Sequence, residues 1–175
     1  MKMKCILTIL IMLNIFTNPI SSATFKHPIY YQILKNKPNI DKSYAMNLSN
    51  VIYKMCKKYN LPKHIYTAIL MQESNYHLDA VAGISGYYNG KVIKVKTDFG
   101  IAQIHWKNVK NKKLNIDKLL NDIVYSVEEG AKILSFFKKK YAHKEKDWWV
   151  RYNCGQKNID RDVCQKYKKL VLRFL

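Results

Sequence analysis

Glu73 lies in the apolar run "AILMQESNYHL", residues 68–78, whose pattern is that of a buried helix face. A carboxylate placed there loses hydration, so its charged form is disfavoured and its pKa rises. If the run is helical, Ile65, Ile69, Gln72, Glu73 and Tyr76 share one face at spacings of three and four. Glu73 then falls near the helix C-terminus, whose dipole also opposes negative charge. Both effects favour a protonated acid near neutral pH, which is what cleavage of a glycosidic bond needs at the leaving oxygen. Many glycosidases add a second carboxylate across the cleft. Asp98, in "TDFGIAQI", is the candidate for that role. Gln103, in the same stretch, offers an amide that can orient sugar hydroxyls or an N-acetyl group. "RYNCG" adds the phenol of Tyr152 and the amide of Asn153.

These groups need elements to hold them. "SYAMNLSNVIYKMCKKYN" places apolar residues at 44, 48, 51, 52, 55 and 59, a helical stripe. "LPKHIYTAILMQESNY" begins with Pro62, which suits the first turn of the helix that carries Glu73. In "GISGYYNGKVIKVKTDFG", Asn89-Gly90 between two β-prone runs predicts a tight hairpin, and its second strand leads into Asp98. A basic loop is expected over 107–113. Ser126-x-x-Glu129 reads as a capping box opening a helix that turns Val127, Ala131, Leu134, Phe137 and Tyr141 inward. "DWWVRYNCG" reads as a short helix and turn, with Trp148 and Trp149 in the core, and "DRDVCQKYKKLVLRF" as a closing amphipathic helix. The fold class expected is α+β, predominantly helical, with one small β-hairpin beside the cleft. His64, His77 and His105 show no ligand spacing and read as incidental.

The chain opens with Lys2 and Lys4, an apolar stretch from Ile6 to about Phe16, then Ser21 and Ala23 at the −3 and −1 positions of a cut after Ala23. That is the layout of a secretory signal peptide, and the apolar part is short for a membrane span. The expected organisation is a signal peptide at 1–23, an extended leader at 24–42 that holds Pro28 and Pro38, and one domain at 43–175. Such a protein is exported, to the periplasm or beyond the cell. The whole chain carries +19, and removing the two leader lysines leaves +17. That charge attracts polyanions. For an exported protein these are the cell wall and anionic lipid headgroups, so nucleic acid is not an expected partner. Of four cysteines, Cys56, Cys154 and Cys164 follow the leader. Cys154–Cys164 is the preferred bridge because the two are close in sequence, with a pairing of Cys56 to either left open. No CxxC pair or closely spaced His set suggests a zinc site, so no metal is expected.

The order of Glu73-Ser74, Gly100-Ile101-Ala102-Gln103-Ile104 and Arg151-Tyr152-Asn153-Cys154-Gly155 resembles the three-part signature of lytic transglycosylases with the soluble-transglycosylase, goose-lysozyme-like fold. The family pattern is an acid followed by Ser, then Gly-Leu-Met-Gln-Ile, then Ala-Tyr-Asn-Ala-Gly. The match runs loosely over about residues 45–172, and the small exported relatives associated with type IV secretion look most similar. The resemblance implies a lysozyme-like fold and cleavage of the β-1,4 bond between N-acetylmuramic acid and N-acetylglucosamine in peptidoglycan. It implies one glutamic acid, here Glu73, acting first as acid and then as base to close a 1,6-anhydro ring, without cofactor. It also implies substrate contacts from Gln103 and Tyr152, with Ser74 and Asn153 in supporting positions. The partners implied are peptidoglycan glycan strands and an envelope-spanning secretion machine.

The chain departs from that pattern at Ala82, where relatives often carry a Ser or Asn that contacts the N-acetyl group, and at Ala102, Arg151 and Cys154. "TDFGIAQI" also resembles animal-type lysozymes, in which the acid of this stretch is the second catalytic carboxylate. That implies hydrolysis by Glu73 and Asp98 as the alternative. Two readings of another class are a cell-wall-binding module without turnover and a basic protein that disrupts membranes by charge alone.

Overall fold

The computed structural model describes residues 27–88 and 91–175, with the side chains of 84–88 and 91–94 left aside. The expected signal peptide at 1–23 and the hairpin turn at Asn89-Gly90 lie outside the described residues. The elements run α1 (Pro28–Asn36), α2 (Lys42–Tyr59), α3 (Lys63–Ser74), β1 (Val81–Tyr88), β2 (Lys91–Phe99), β3 (Ile104–His105), α4 (Trp106–Asn111), α5 (Ile116–Asn121), α6 (Ile123–Tyr141), a 3-10 turn (Trp148–Val150), α7 (Arg151–Cys154) and α8 (Asp162–Leu172). The fold is α+β and predominantly helical, as the sequence pattern implies.

Helix α3 is the centre of the helical part. Every residue from Ile65 to Leu70 is buried, because α1, α2 and α8 all pack against it. The Asp41 carboxylate starts α2 by accepting the Tyr44 amide at 2.7 Å. Both α2 and α3 end on an asparagine in the left-handed region, Asn60 (φ 52°) and Asn75 (φ 54°), which turns the chain without a glycine. The C-terminal cap of α3 therefore follows directly on Glu73 and Ser74 and fixes where the acid stands. On the opposite side, α6 lays Val127, Ala131, Leu134, Phe137 and Tyr141 into the same core.

The sheet is three-stranded and antiparallel in the order β1-β2-β3. Asp98 of β2 pairs with Ala82 on one side and His105 on the other, with a bulge between Ala82 and Gly83. The expected hairpin is thus extended by a third strand, too short for its alternation to be legible. Gly100 follows β2 with φ +74°, and a Cβ there would overlap the Leu119 carbonyl oxygen and come within 2.5 Å of Ser126 Oγ. The turn back into "IAQI" needs glycine for both reasons.

Three expectations are corrected. The segment 24–42 is not an extended leader where it is described: Pro28 sits at the first turn of helix α1, whose Ile29, Tyr30 and Ile33 are buried. Proline suits that position, because the N–H it lacks has no partner in the first turn of a helix. The basic loop 107–113 is helical over its first part, since α4 spans Trp106–Asn111 with Val109 buried as its anchor. Ser126 and Glu129 do not form a capping box. Asp122 caps α6 instead, accepting the amides of Val124 (2.9 Å) and Tyr125 (3.0 Å), while Glu129 pairs with Lys132 one turn on. Helix α5 had no signal strong enough to be expected.

The segment after α6 is held by Arg151, buried despite its charge. Its guanidinium donates two 2.6 Å bonds to Glu145 in the fork geometry, reaches the carbonyls of Gly155 (3.2 Å) and Lys157 (2.9 Å), and stacks 3.6 Å from the Tyr141 ring centroid. The departure from the family's Ala at this position is thus a clamp on the segment that carries Tyr152. The cysteine bridge forms between Cys154 and Cys164, joining α7 to α8, and Cys56 is free and buried. Trp148 and Trp149 are buried, as expected. Among the described residues no helix is long and apolar enough to cross a membrane. Arg151→Met should lower the unfolding free energy by about 2–3 kcal/mol in urea titration, with Arg151→Lys recovering only part, because it keeps the charge and loses the fork.

Candidate active site

A cleft of about 1000 Å³ lies between the sheet, α4, α6 and α7. Glu73 and Gln72 enter it from the end of α3, Ala82 from β1, Asp98 from β2, and Gln103 from the turn before β3. His105, Lys107, Asn108 and Lys112 form the α4 wall. Ile133, Phe136 and Phe137 of α6 form an apolar wall opposite, with Tyr152 and Asn153 at its base. A second cavity, about 510 Å³, shares Gln72, Glu73, Ala82 and Gln103 with the first. Glu73 thus borders both cavities, on the side of each that faces the end of α3.

Glu73 is half-buried, and its pKa is pushed up to about 7, first by loss of hydration and then by the nearby charge of Asp98. A hydrogen bond works against that rise: the Tyr167 hydroxyl donates to Glu73 Oε1 at 2.6 Å. Desolvation wins, and the carboxyl is poised to hold a proton near neutrality and to release it. The Tyr167 hydroxyl is itself pushed far up by burial, with Glu73 beside it, so it serves as a fixed donor.

The other expected residues fall as follows. Asp98 lines the same cleft, half-buried, and accepts the Thr97 hydroxyl at 2.7 Å. Gln103, held at φ +45°, donates both amide hydrogens to the backbone, to Ala80 O (3.1 Å) and Gly100 O (2.8 Å). Its carbonyl oxygen is what remains for a ligand. The Tyr152 hydroxyl donates to Ala102 O at 2.7 Å, so it braces the "IAQI" turn instead of bonding to Glu73. Asn153 is exposed on the cleft wall, and Ser74 is buried with its hydroxyl turned back to Leu70 O at 3.2 Å. Cys154 and Cys164 tie the helix that carries Tyr167 to the one that carries Tyr152.

Packing is tight where these parts meet. A Cβ on Gly130 of α6 would lie 2.6 Å from both the Ala102 methyl and the Tyr66 hydroxyl, and 3.1 Å from the Tyr152 hydroxyl. Glycine lets α6 pass beside both phenols, and the small Ala102 belongs to the same close approach. Sequence reasoning missed Tyr167. Its burial could be inferred from the spacing of Cys164, Tyr167 and Val171 on one face of α8, but the group it meets, 94 residues away, could not. His105 was also read as incidental, yet it lines the cleft and its Nδ1 accepts the Lys107 amide at 3.3 Å to start α4.

Tyr167→Phe removes a donor to the ionised carboxylate, so the midpoint of Glu73 should move upward from about 7. The carboxyl carbon shift of labelled glutamate followed against pH reads this directly, and an unmoved or lowered midpoint would contradict the assigned contact.

Comparison with known proteins bears on the same residues. The model of the transglycosylase SLT domain matches residues 50–172, from within α2 to the end of α8, and so contains the whole cleft. No curated protein and no solved structure matches. With more than half of its length covered, the chain belongs to the transglycosylase SLT domain family, whose members are of the lytic transglycosylase type and act on peptidoglycan.

Proposed function

We propose that the protein cleaves the β-1,4 bond between N-acetylmuramic acid and N-acetylglucosamine and leaves a 1,6-anhydromuramoyl end. The observation that carries this reading is one half-buried glutamic acid, pushed up to about 7, that lines two neighbouring cavities of about 1000 and 510 Å³. The neutral carboxyl of Glu73 gives its proton to the glycosidic oxygen as the bond from that oxygen to muramic C1 breaks. The resulting carboxylate then takes the proton of the 6-hydroxyl as O6 bonds to C1. The proton count closes on Glu73, and no water is consumed. Tyr167 holds the carboxyl in place through both steps, and its bond stabilises the carboxylate that forms midway.

Gln103 supplies a carbonyl oxygen to an N–H or hydroxyl of the sugar, and Phe136 and Ile133 offer the apolar face on which a ring can lie. Tyr152 serves the site through the "IAQI" turn that carries Gln103. Ala82 offers no polar group to the N-acetyl moiety, which leaves that contact to Gln103 and Asn153. The place of action is outside the cytoplasm, a reading that rests on the leader pattern of 1–23. Opening the wall for an envelope-spanning secretion machine is the task such an enzyme would serve.

One observation supports a second reading. Asp98 shares the cleft and is close enough to raise Glu73, so hydrolysis with Asp98 supporting the developing positive charge is the alternative. Mass spectrometry of products from purified peptidoglycan separates the two, because an anhydro end is one water lighter than a hydrolysed one. Wild type should release anhydro-muropeptides and Glu73→Gln none above background. Equal release by both would end the enzymatic reading in favour of a binding or charge-driven protein. Since the acid must start protonated, the rate should hold below about pH 7 and fall roughly tenfold per unit above it. A rate still rising toward pH 9 would remove Glu73 from the first proton transfer.

A further inference from the structure

The cleft carries more charge than a neutral sugar polymer asks for. Lys107 and Lys112 both line its α4 wall, and neither takes part in an ion pair among the described residues. Other cations of this basic chain are committed: Lys58 to Glu128, Lys132 to Glu129, Arg151 to Glu145 and Lys168 to Asp147. The position of the α4 wall is also fixed. His105 pairs with Asp98 across the sheet, its ring caps α4, and Val109 is buried, so Lys107 in the first turn and Lys112 just past the last are held by an anchored helix. The opposite wall is apolar, with Ile133 and Phe136. A ligand that fills this cleft thus meets hydrophobic surface on one side and two unpaired ammonium groups on the other.

We propose that the α4 wall is a subsite for the carboxylates of the stem peptide carried by the muramyl sugar, and that Lys107 and Lys112 make the enzyme prefer peptide-bearing glycan over bare glycan. This rests on the reading that peptidoglycan occupies the cleft. In peptide-bearing strands the lactyl carboxyl of each muramyl sugar is held as an amide, so the glycan is neutral and the free carboxylates are those of the peptide beside the chain. Lysine suits this role, since a flexible point charge follows a mobile peptide better than a fixed fork does. Lys110 and Lys113 belong to the same basic run and do not line the cleft, so the selectivity belongs to position and not to net charge.

The test reads binding apart from turnover. In the full chain with Glu73→Gln, dissociation constants are measured by calorimetry for a glycan oligomer with stem peptides, the same oligomer stripped by an amidase with its freed lactyl carboxyls then amidated, and the peptide-bearing oligomer with its carboxyls amidated. Two exposed charge pairs should give the first ligand about a five-fold advantage over the other two. Lys107→Gln/Lys112→Gln should abolish that advantage, and Lys110→Gln/Lys113→Gln, which removes the same charge, should preserve it. Equal constants for all three ligands, or equal losses in both lysine pairs, would overturn the subsite. So would a failure of every oligomer to bind while wild type still releases anhydro products. A wild type that releases nothing, yet keeps the lysine-dependent preference, would remove the enzymatic reading and leave this one standing.

Discussion

The hydrogen bond from Tyr167 to Glu73 joins the last helix to the middle of the chain, and the rest of the site is arranged around it. A carboxyl at the end of a buried helix is pulled two ways. Loss of water and the neighbouring Asp98 favour its neutral form, while a phenol at 2.6 Å favours the charged one. The balance near neutrality is useful only if the donor cannot drift away. Helix α8 packs against α3, and the Cys154–Cys164 bridge ties α8 to α7, so the donor's place is set by the fold.

The same logic explains two residues that look out of place. Arg151 is a buried charge in a stretch where relatives have alanine, and its fork to Glu145 together with two carbonyl contacts organises the loop on either side of Tyr152. Gly130 sits within the long helix α6 at the turn where Tyr66, Ala102 and Tyr152 come closest. Neither touches the groove. Each sets the position of the "IAQI" turn, and through it the direction of Gln103.

The two cavities beside the acid differ in both size and chemistry. The larger has an apolar wall from α6 and a cationic wall from α4, and the smaller lies between the end of α3, β1 and Phe174.

Much of this was legible in the residues alone. The spacing of Ile65, Ile69 and Glu73 placed an acid on a buried helix face, and the three short blocks marked Gln103 and Tyr152 as its neighbours in space. The close pair Cys154 and Cys164 predicted the bridge. The helix face and the bridge are local patterns, governed by helical period and chain proximity, whereas Gln103 and Tyr152 were marked by the resemblance of the three blocks to the family signature. What tertiary packing alone decided was which tyrosine meets the acid: Tyr152 is drawn to the Ala102 carbonyl, and Tyr167 takes the carboxylate. It also decided that 28–36 is a helix in the core, and that half of a basic run forms a cleft wall. A contact across 94 residues leaves no period in the sequence, because its geometry exists only once α3 and α8 are side by side.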